Sequence, residues 1–179
     1  MRVTSPKVIQ DYIKNCKKCV VVDKPPSIFR IYERYVPKPL KTLVISESPP
    51  PGRKKNYIYN LGEGDRLRRV LAKVFEVPEE NVIDFLMRQG IFWSTAIKCR
   101  PISKSKLEEM RRKCVEVLKL ELSILKPRRV VALGKVAIKS ISEVPLAGIK
   151  VIEYYHPLYV VRFRRSELTV LRKVLLGRE

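Results

Sequence analysis

Apolar and polar positions along this chain fall into two rhythms. Four short runs read as strands: the β-branched Thr42–Ser46 (TLVIS), a buried-type run over residues 91–98, Arg129–Leu133 and residues 149–154. Between them the apolar spacing turns helical. Leu67, Val70, Leu71, Val74 and Phe75 share one face over residues 65–75. A helix from Ser5-Pro6 to about Asn15 has Ser as cap and Pro at its first position. Others are expected from Pro78 to near Gly90, from a Ser105 cap to just before Pro127, from Gly134 onward, and from a Ser166 cap to about Leu176. Residues 23–40 show no clear period, and residues 158–165 (LYVVRFRR) read as a basic loop. Strands alternating with helices predict an α/β fold in one domain, 1–179. The expected form is a three-layer helix–sheet–helix sandwich around a four-stranded, mostly parallel sheet. In such a sheet ligands bind in the crevice at the carboxyl ends of the strands. Glu47, the run from Thr95 to Cys99, and His156 all sit at or just past predicted strand ends.

Composition sharpens this picture. A hydrophobic fraction of 45% suits a globular core and argues against disorder. No apolar run approaches the ~20 residues needed to span a bilayer. The start, MRVTSPKVIQDYIKNC, has no secretory apolar region, so an intracellular, cytoplasmic protein without membrane association is expected. Lys and Arg number 38 against 18 Asp and Glu, a net charge of +20, which points to a polyanionic partner such as nucleic acid. Only four Asn and two Gln occur among abundant Val, Ile, Leu, Lys and Arg, a balance that leans toward a thermophilic source.

Four cysteines complete the candidate chemistry. Cys16 and Cys19 form a CxxC, Cys99 enters the loop after the second strand, and Cys114 lies on the helix that follows. Four soft ligands with no thiol left over suit a metal site, zinc or [4Fe–4S]. Buried apolar thiols or two disulfides are the plainer alternatives. His156 is the only histidine, so imidazole chemistry can come from nowhere else, and just past a strand end it is either structural or catalytic. It can donate a hydrogen bond to a leaving group that departs as an anion. Glu47 precedes three prolines that stiffen its loop; it is either a loop carboxylate paired to one of the many Lys or Arg, or a functional group that orients water or offsets a developing sugar cation. Tyr59 is either a stacking platform or core. Arg162, Arg164 and Arg165 alternate with apolar residues as in a DNA-contacting loop, or form a solvated face.

These residues together resemble the uracil-DNA glycosylase superfamily, in particular its heat-stable iron–sulfur type, family 4. That family has an N-terminal CxxC, a GEAPG-like first motif, a strand ending in NxxKCRPP, and a cysteine on the next helix. A strand of the LKPxxIVxLGxxA type and a late HPS-type motif follow. The counterparts are Cys16-Lys17-Lys18-Cys19, Ser46-Glu47-Ser48-Pro49-Pro50, Thr95-Ala96-Ile97-Lys98-Cys99-Arg100-Pro101, Cys114, residues 125–137 and His156-Pro157-Leu158, in that order over most of the chain.

The resemblance implies a monofunctional DNA glycosylase of base excision repair, acting as a monomer on DNA with a deaminated base flipped into a pocket. It implies a structural [4Fe–4S] cluster on Cys16, Cys19, Cys99 and Cys114, with zinc as the alternative. Glu47 matches the carboxylate that aids water attack, and His156 the histidine that stabilises the departing base. Ser48, Tyr59 and Thr95 match substrate-binding positions, Tyr59 with a one-residue gap. No lysine falls at a Schiff-base position, so no lyase step is expected. The family's first-motif glycines are Ser46 and Pro50 here, and its base-reading asparagine is Thr95. One hydroxyl replaces an amide's donor and acceptor, so hypoxanthine or another deaminated base joins uracil as a candidate. The rival from another class is a non-catalytic iron–sulfur protein of the same fold that only binds nucleic acid.

Overall fold

The computed structural model describes residues 5–146 and 148–178. The chain opens with α1 (Lys7–Asn15) and two short helices, α2 (Pro25–Ile28) and α3 (Ile31–Arg34). Strand β1 (Thr42–Ser46) leads through a long loop to α4 (Arg66–Phe75) and α5 (Val82–Arg88). Then come β2 (Ile91–Thr95), α6 (Leu107–Leu125), β3 (Arg129–Leu133) and α7 (Lys135–Ser142). The chain ends with β4 (Lys150–Tyr154), α8 (Pro157–Phe163) and α9 (Leu168–Leu176).

The four strands form one sheet in the order β2-β1-β3-β4, and every pairing is parallel. Parallel strands need helical crossovers, which cover both faces and so require apolar side chains in both directions. The strands comply: every residue of β1 and β2 is buried, while edge strand β4 is partly exposed. The helices contact one another in two groups, α1, α2, α3, α6 and α7 in one and α4, α5, α8 and α9 in the other. This is the expected three-layer α/β architecture. The chain turns to opposite sides of β1 to build β2 and β3, so the switch in strand order lies there. The crevice beyond the carboxyl ends is the place such a sheet offers a ligand.

Local chemistry explains most boundaries. Asp65 caps α4 by accepting from Arg68 N–H at 2.9 Å, and Glu76 ends it in the left-handed region. Along α6, Glu108–Arg112 and Glu109–Lys113 pairs one turn apart support the exposed face. Lys126 closes that helix with a left-handed turn ahead of Pro127. Gly134 joins β3 to α7 at φ 85° and ψ 166°, a backbone state open essentially only to glycine.

Several expectations need correction. Residues 158–165 are not a loop but mostly α8, because Pro157 supplies a preset first turn and His156 caps it. Neither Ser105 nor Ser166 caps a helix; both lie in tight 3-10 turns that lead into α6 and α9. Ser105 pairs instead with Ser103, Oγ to Oγ at 2.8 Å. The second strand stops at Thr95, where residues 96–98 turn to follow the β1 loop through Ala96 N–H to Ser46 O (2.7 Å) and Ile97 N–H to Glu47 O (3.0 Å). No helix among the described residues is long and apolar enough to cross a membrane.

Candidate active site

All four strands deliver residues to one pocket of about 410 Å3 at their carboxyl ends. Glu47 to Pro51 follow β1, Thr95 ends β2, Leu133 and Gly134 leave β3, and His156 stands two residues beyond β4. Trp93, Tyr57 and Leu67 form apolar wall, while Lys54, Arg66 and Lys104 bring positive charge. Glu47, Ser48, Thr95 and His156, singled out in the sequence, are therefore brought together.

Each has a defined state. Glu47 is half-buried, and burial raises its carboxyl above the usual range, with Lys104 pulling the other way. Among the described residues its side chain has no hydrogen-bond or ion-pair partner, which leaves both oxygens available. The His156 Nδ1 accepts from Leu158 N–H at 3.2 Å as the cap of α8. That bond leaves the proton of the neutral ring on Nε2. Burial lowers the His156 pKa to about 4, so at neutral pH the ring is an uncharged N–H donor. Thr95 is buried, and its hydroxyl donates to Ile97 O at 2.7 Å. The donor is thus committed to the main chain, and only lone pairs remain to meet a ligand. Ser48 donates to Pro49 O at 3.0 Å within its own loop.

Tyr59 is not at the pocket. It is buried in the core, with its hydroxyl donating to Trp93 O (2.8 Å) and accepting from Trp93 N–H (3.1 Å). It also stacks on Tyr35 at 4.9 Å. Its neighbour Tyr57, which stacks on Phe29 at 5.6 Å, lines the pocket instead. Arg162 and Arg165 line a neighbouring groove, whereas Arg164 is engaged with Glu167 at 2.6 Å and lies 4.5 Å over the Tyr155 ring.

Two buried arginines, neither given a role from the sequence, fix the pocket's long loop. Arg100 pairs with Asp23 at 2.9 Å and donates to Pro50 O (2.9 Å) and Asn56 O (3.2 Å). Arg68 donates to Ile58 O (3.2 Å), Asn60 O (3.1 Å) and Glu63 O (2.6 Å). A fork of five donors is what allows one side chain to hold several carbonyls.

Next to Arg100 the four cysteines line a second, small cavity of about 20 Å3. None forms a disulfide. Burial is the main cause raising Cys19, Cys114 and Cys99, the last to about 12, and neighbouring cysteines push in the same direction. Lys18, Lys24 and Lys113 stand around them. Among the described residues no three Cys, His, Asp or Glu side chains close into a metal-holding group, so the thiols surround the cavity without converging on a point. In number and softness the donor set still fits a four-thiolate centre, and the lysines suit its negative charge.

The chain resembles the type-4 uracil-DNA glycosylase of Pyrobaculum aerophilum, with 25% identity over 141 residues. The match covers 75% of this chain and 63% of that relative, so the chain spans less than two thirds of the relative's length. Residues 33–175, which include all four strands and every pocket residue named above, match the uracil DNA glycosylase superfamily. The chain belongs to that superfamily.

Proposed function

We propose that the protein is a monofunctional DNA glycosylase that hydrolyses the N-glycosidic bond of a deaminated base flipped out of its strand, in base excision repair. The observation that carries this reading is the convergence of Glu47 and His156, far apart in sequence, on one pocket at the strand ends.

A base in the pocket lies against Tyr57, with its sugar toward Glu47. As the glycosidic bond breaks, positive charge grows on the sugar and negative charge on the base. Glu47 offsets the first and orients a water, whose oxygen joins the sugar carbon while its proton passes to the carboxylate. His156 donates its Nε2–H to the departing base, which takes up a proton after release. A neutral donor serves here because it adds no charge that would hold the product anion. Lys54, Arg66 and Lys104 supply phosphate contacts at the rim.

The protein acts as a monomer on DNA. Cys16, Cys19, Cys99 and Cys114 would hold a [4Fe–4S] cluster, supported by their shared cavity and the lysines around it. These ligands come from the end of α1 and the turn after it, the loop after β2, and α6, which a bound cluster would tie together. Zinc is the alternative for the same donors. Iron, sulfide and zinc analysis of protein purified without oxygen distinguishes them. Iron with matching sulfide is expected, and zinc alone would replace the cluster.

The test of the reaction is single-turnover excision with excess protein on oligonucleotides carrying uracil, hypoxanthine, xanthine or thymine. Cleavage of at least one is expected; none, by protein that still binds DNA, would leave a binding protein. Thr95 offers acceptor lone pairs but no free donor, so the pocket should separate these bases weakly. Thr95→Asn restores both functions and is expected to raise uracil excision over hypoxanthine by roughly ten- to a hundredfold.

A further inference from the structure

Helix α8 divides two unlike surfaces. On one side it meets α4 across a groove of about 880 Å3. Arg66, Arg69 and Lys73 enter it from α4, and Arg162 and Arg165 from α8 and its end. Among the described residues none of these five is paired with a carboxylate. The groove's two acids are already engaged, Glu76 by Arg172 at 2.7 Å and Glu79 by Arg68 at 3.3 Å. The groove is therefore strongly positive, and Arg66 and Leu158 border both it and the active-site pocket.

The other surface is aromatic. Tyr155, Tyr159 and Phe163 recur every four residues and are 41%, 43% and 61% exposed. Tyr155 and Tyr159 stack at 5.4 Å, and Tyr159 and Phe163 lie 5.1 Å apart. Arg164 lies 4.5 Å over Tyr155, and Arg162 lies 5.0 Å over Phe163. Folding normally covers large rings, so three in a row at the surface mark a contact. The row starts one residue before His156.

A cationic groove beside an exposed aromatic row is the pairing that single strands require: charges follow the backbone while unpaired bases find π faces. A duplex keeps its bases stacked inside and has no use for such a row. We propose that α8 is a single-strand platform, with the sugar-phosphate backbone in the α4–α8 groove and bases flanking the flipped nucleotide stacked on Tyr159 and Phe163. The protein then prefers unpaired DNA to duplex. This inference rests on the glycosylase reading for its partner, but its test does not depend on excision.

The measurement is equilibrium binding of an undamaged single-stranded oligonucleotide and of the same sequence as duplex, over a series of salt concentrations. The single strand is expected to bind more tightly. Phe163→Ala and Tyr159→Ala should each weaken it by roughly 5–150-fold, the range for losing one base–aromatic stack, and leave duplex binding unchanged. Tyr159→Phe and Phe163→Tyr keep the rings and should match wild type. Arg69→Ala with Lys73→Ala should flatten the log–log salt dependence by roughly 0.7 per lost phosphate contact. Phe163 is 61% exposed, so its replacement does not threaten the fold. Tighter duplex binding, or single-strand affinity untouched by Phe163→Ala, would overturn the proposal. A protein that excises nothing can still pass, and an active glycosylase that prefers duplex fails.

Discussion

Replacing His156 with alanine is expected to slow single-turnover excision by roughly 10²–10³-fold, the usual effect of losing one hydrogen-bond donor to a developing anion. DNA affinity should survive, because the ring lies inside the pocket and carries no charge at neutral pH. Glu47→Gln keeps the shape but removes the base and the negative charge, and a loss of about 10²–10⁴-fold is expected. The two side chains also predict a pH profile. On the proposed mechanism Glu47 works in its ionised form, and burial holds its carboxyl above the usual range. The rate should therefore rise with pH through an acid limb displaced upward from that of an exposed glutamate. His156, lowered to about 4, stays neutral over that rise and adds no step near the ordinary imidazole value. In Glu47→Gln the acid limb should vanish. A wild-type rate in His156→Ala, or an unchanged acid limb in Glu47→Gln, would remove these residues from the chemistry.

The largest effect on stability is expected at Glu121. This carboxylate on α6 is fully buried and pairs with buried Lys98 just beyond β2. The Tyr32 hydroxyl donates to it at 2.8 Å, and Lys98 also donates to Ser94 Oγ at 2.8 Å. Removing one partner of such a pair strands the other charge away from water. Glu121→Ala should cost roughly 3–5 kcal/mol for that reason. At about 2–4 °C per kcal/mol for a chain of this size, Tm falls by roughly 6–20 °C. The double replacement Lys98→Met with Glu121→Leu removes both charges and should recover most of the loss. Circular-dichroism melts of the three proteins measure this. If the double variant is no more stable than Glu121→Ala, the loss comes from packing and not from a stranded charge.

The sheet and the pocket were legible because both rest on strong local signals. Short apolar runs marked all four strands, the second read three residues too long, and residues at their carboxyl ends are carried to one crevice by topology alone. Glu47, Thr95 and His156 could be placed in this way without knowing any side-chain contact. Tyr57 and Tyr59 are two positions apart with the same chemistry, so nothing local separates them. The choice is made by Trp93, whose main chain takes the Tyr59 hydroxyl and draws that ring into the core. Arg68 was hidden, because a buried arginine reads as one more cation in a chain with 38 Lys and Arg, and Arg100 stood in a motif that gave no sign of the carbonyls it holds. Ser105 and Ser166 carry the right residue type for a cap, yet each helix is entered through a tight turn that leaves the serine inside the turn. The basic run after His156 hid α8 because its charges mask a short apolar face, Val160 buried and Leu158 and Val161 half-buried.

The loop from Pro50 to Glu63 bears on how a ligand reaches the pocket. Arg100 and Arg68 between them hold five of its carbonyls. A segment secured at that many points has little disorder left to surrender on binding, so substrate affinity is not taxed by folding a lid. Its wall is in working position before any ligand arrives, as reactions governed by alignment require. On the proposed reading the large movement belongs to the nucleic acid. Bases already loose in their strand would enter soonest, and selection would begin with the mechanical weakness of the lesion, ahead of any contact with Thr95.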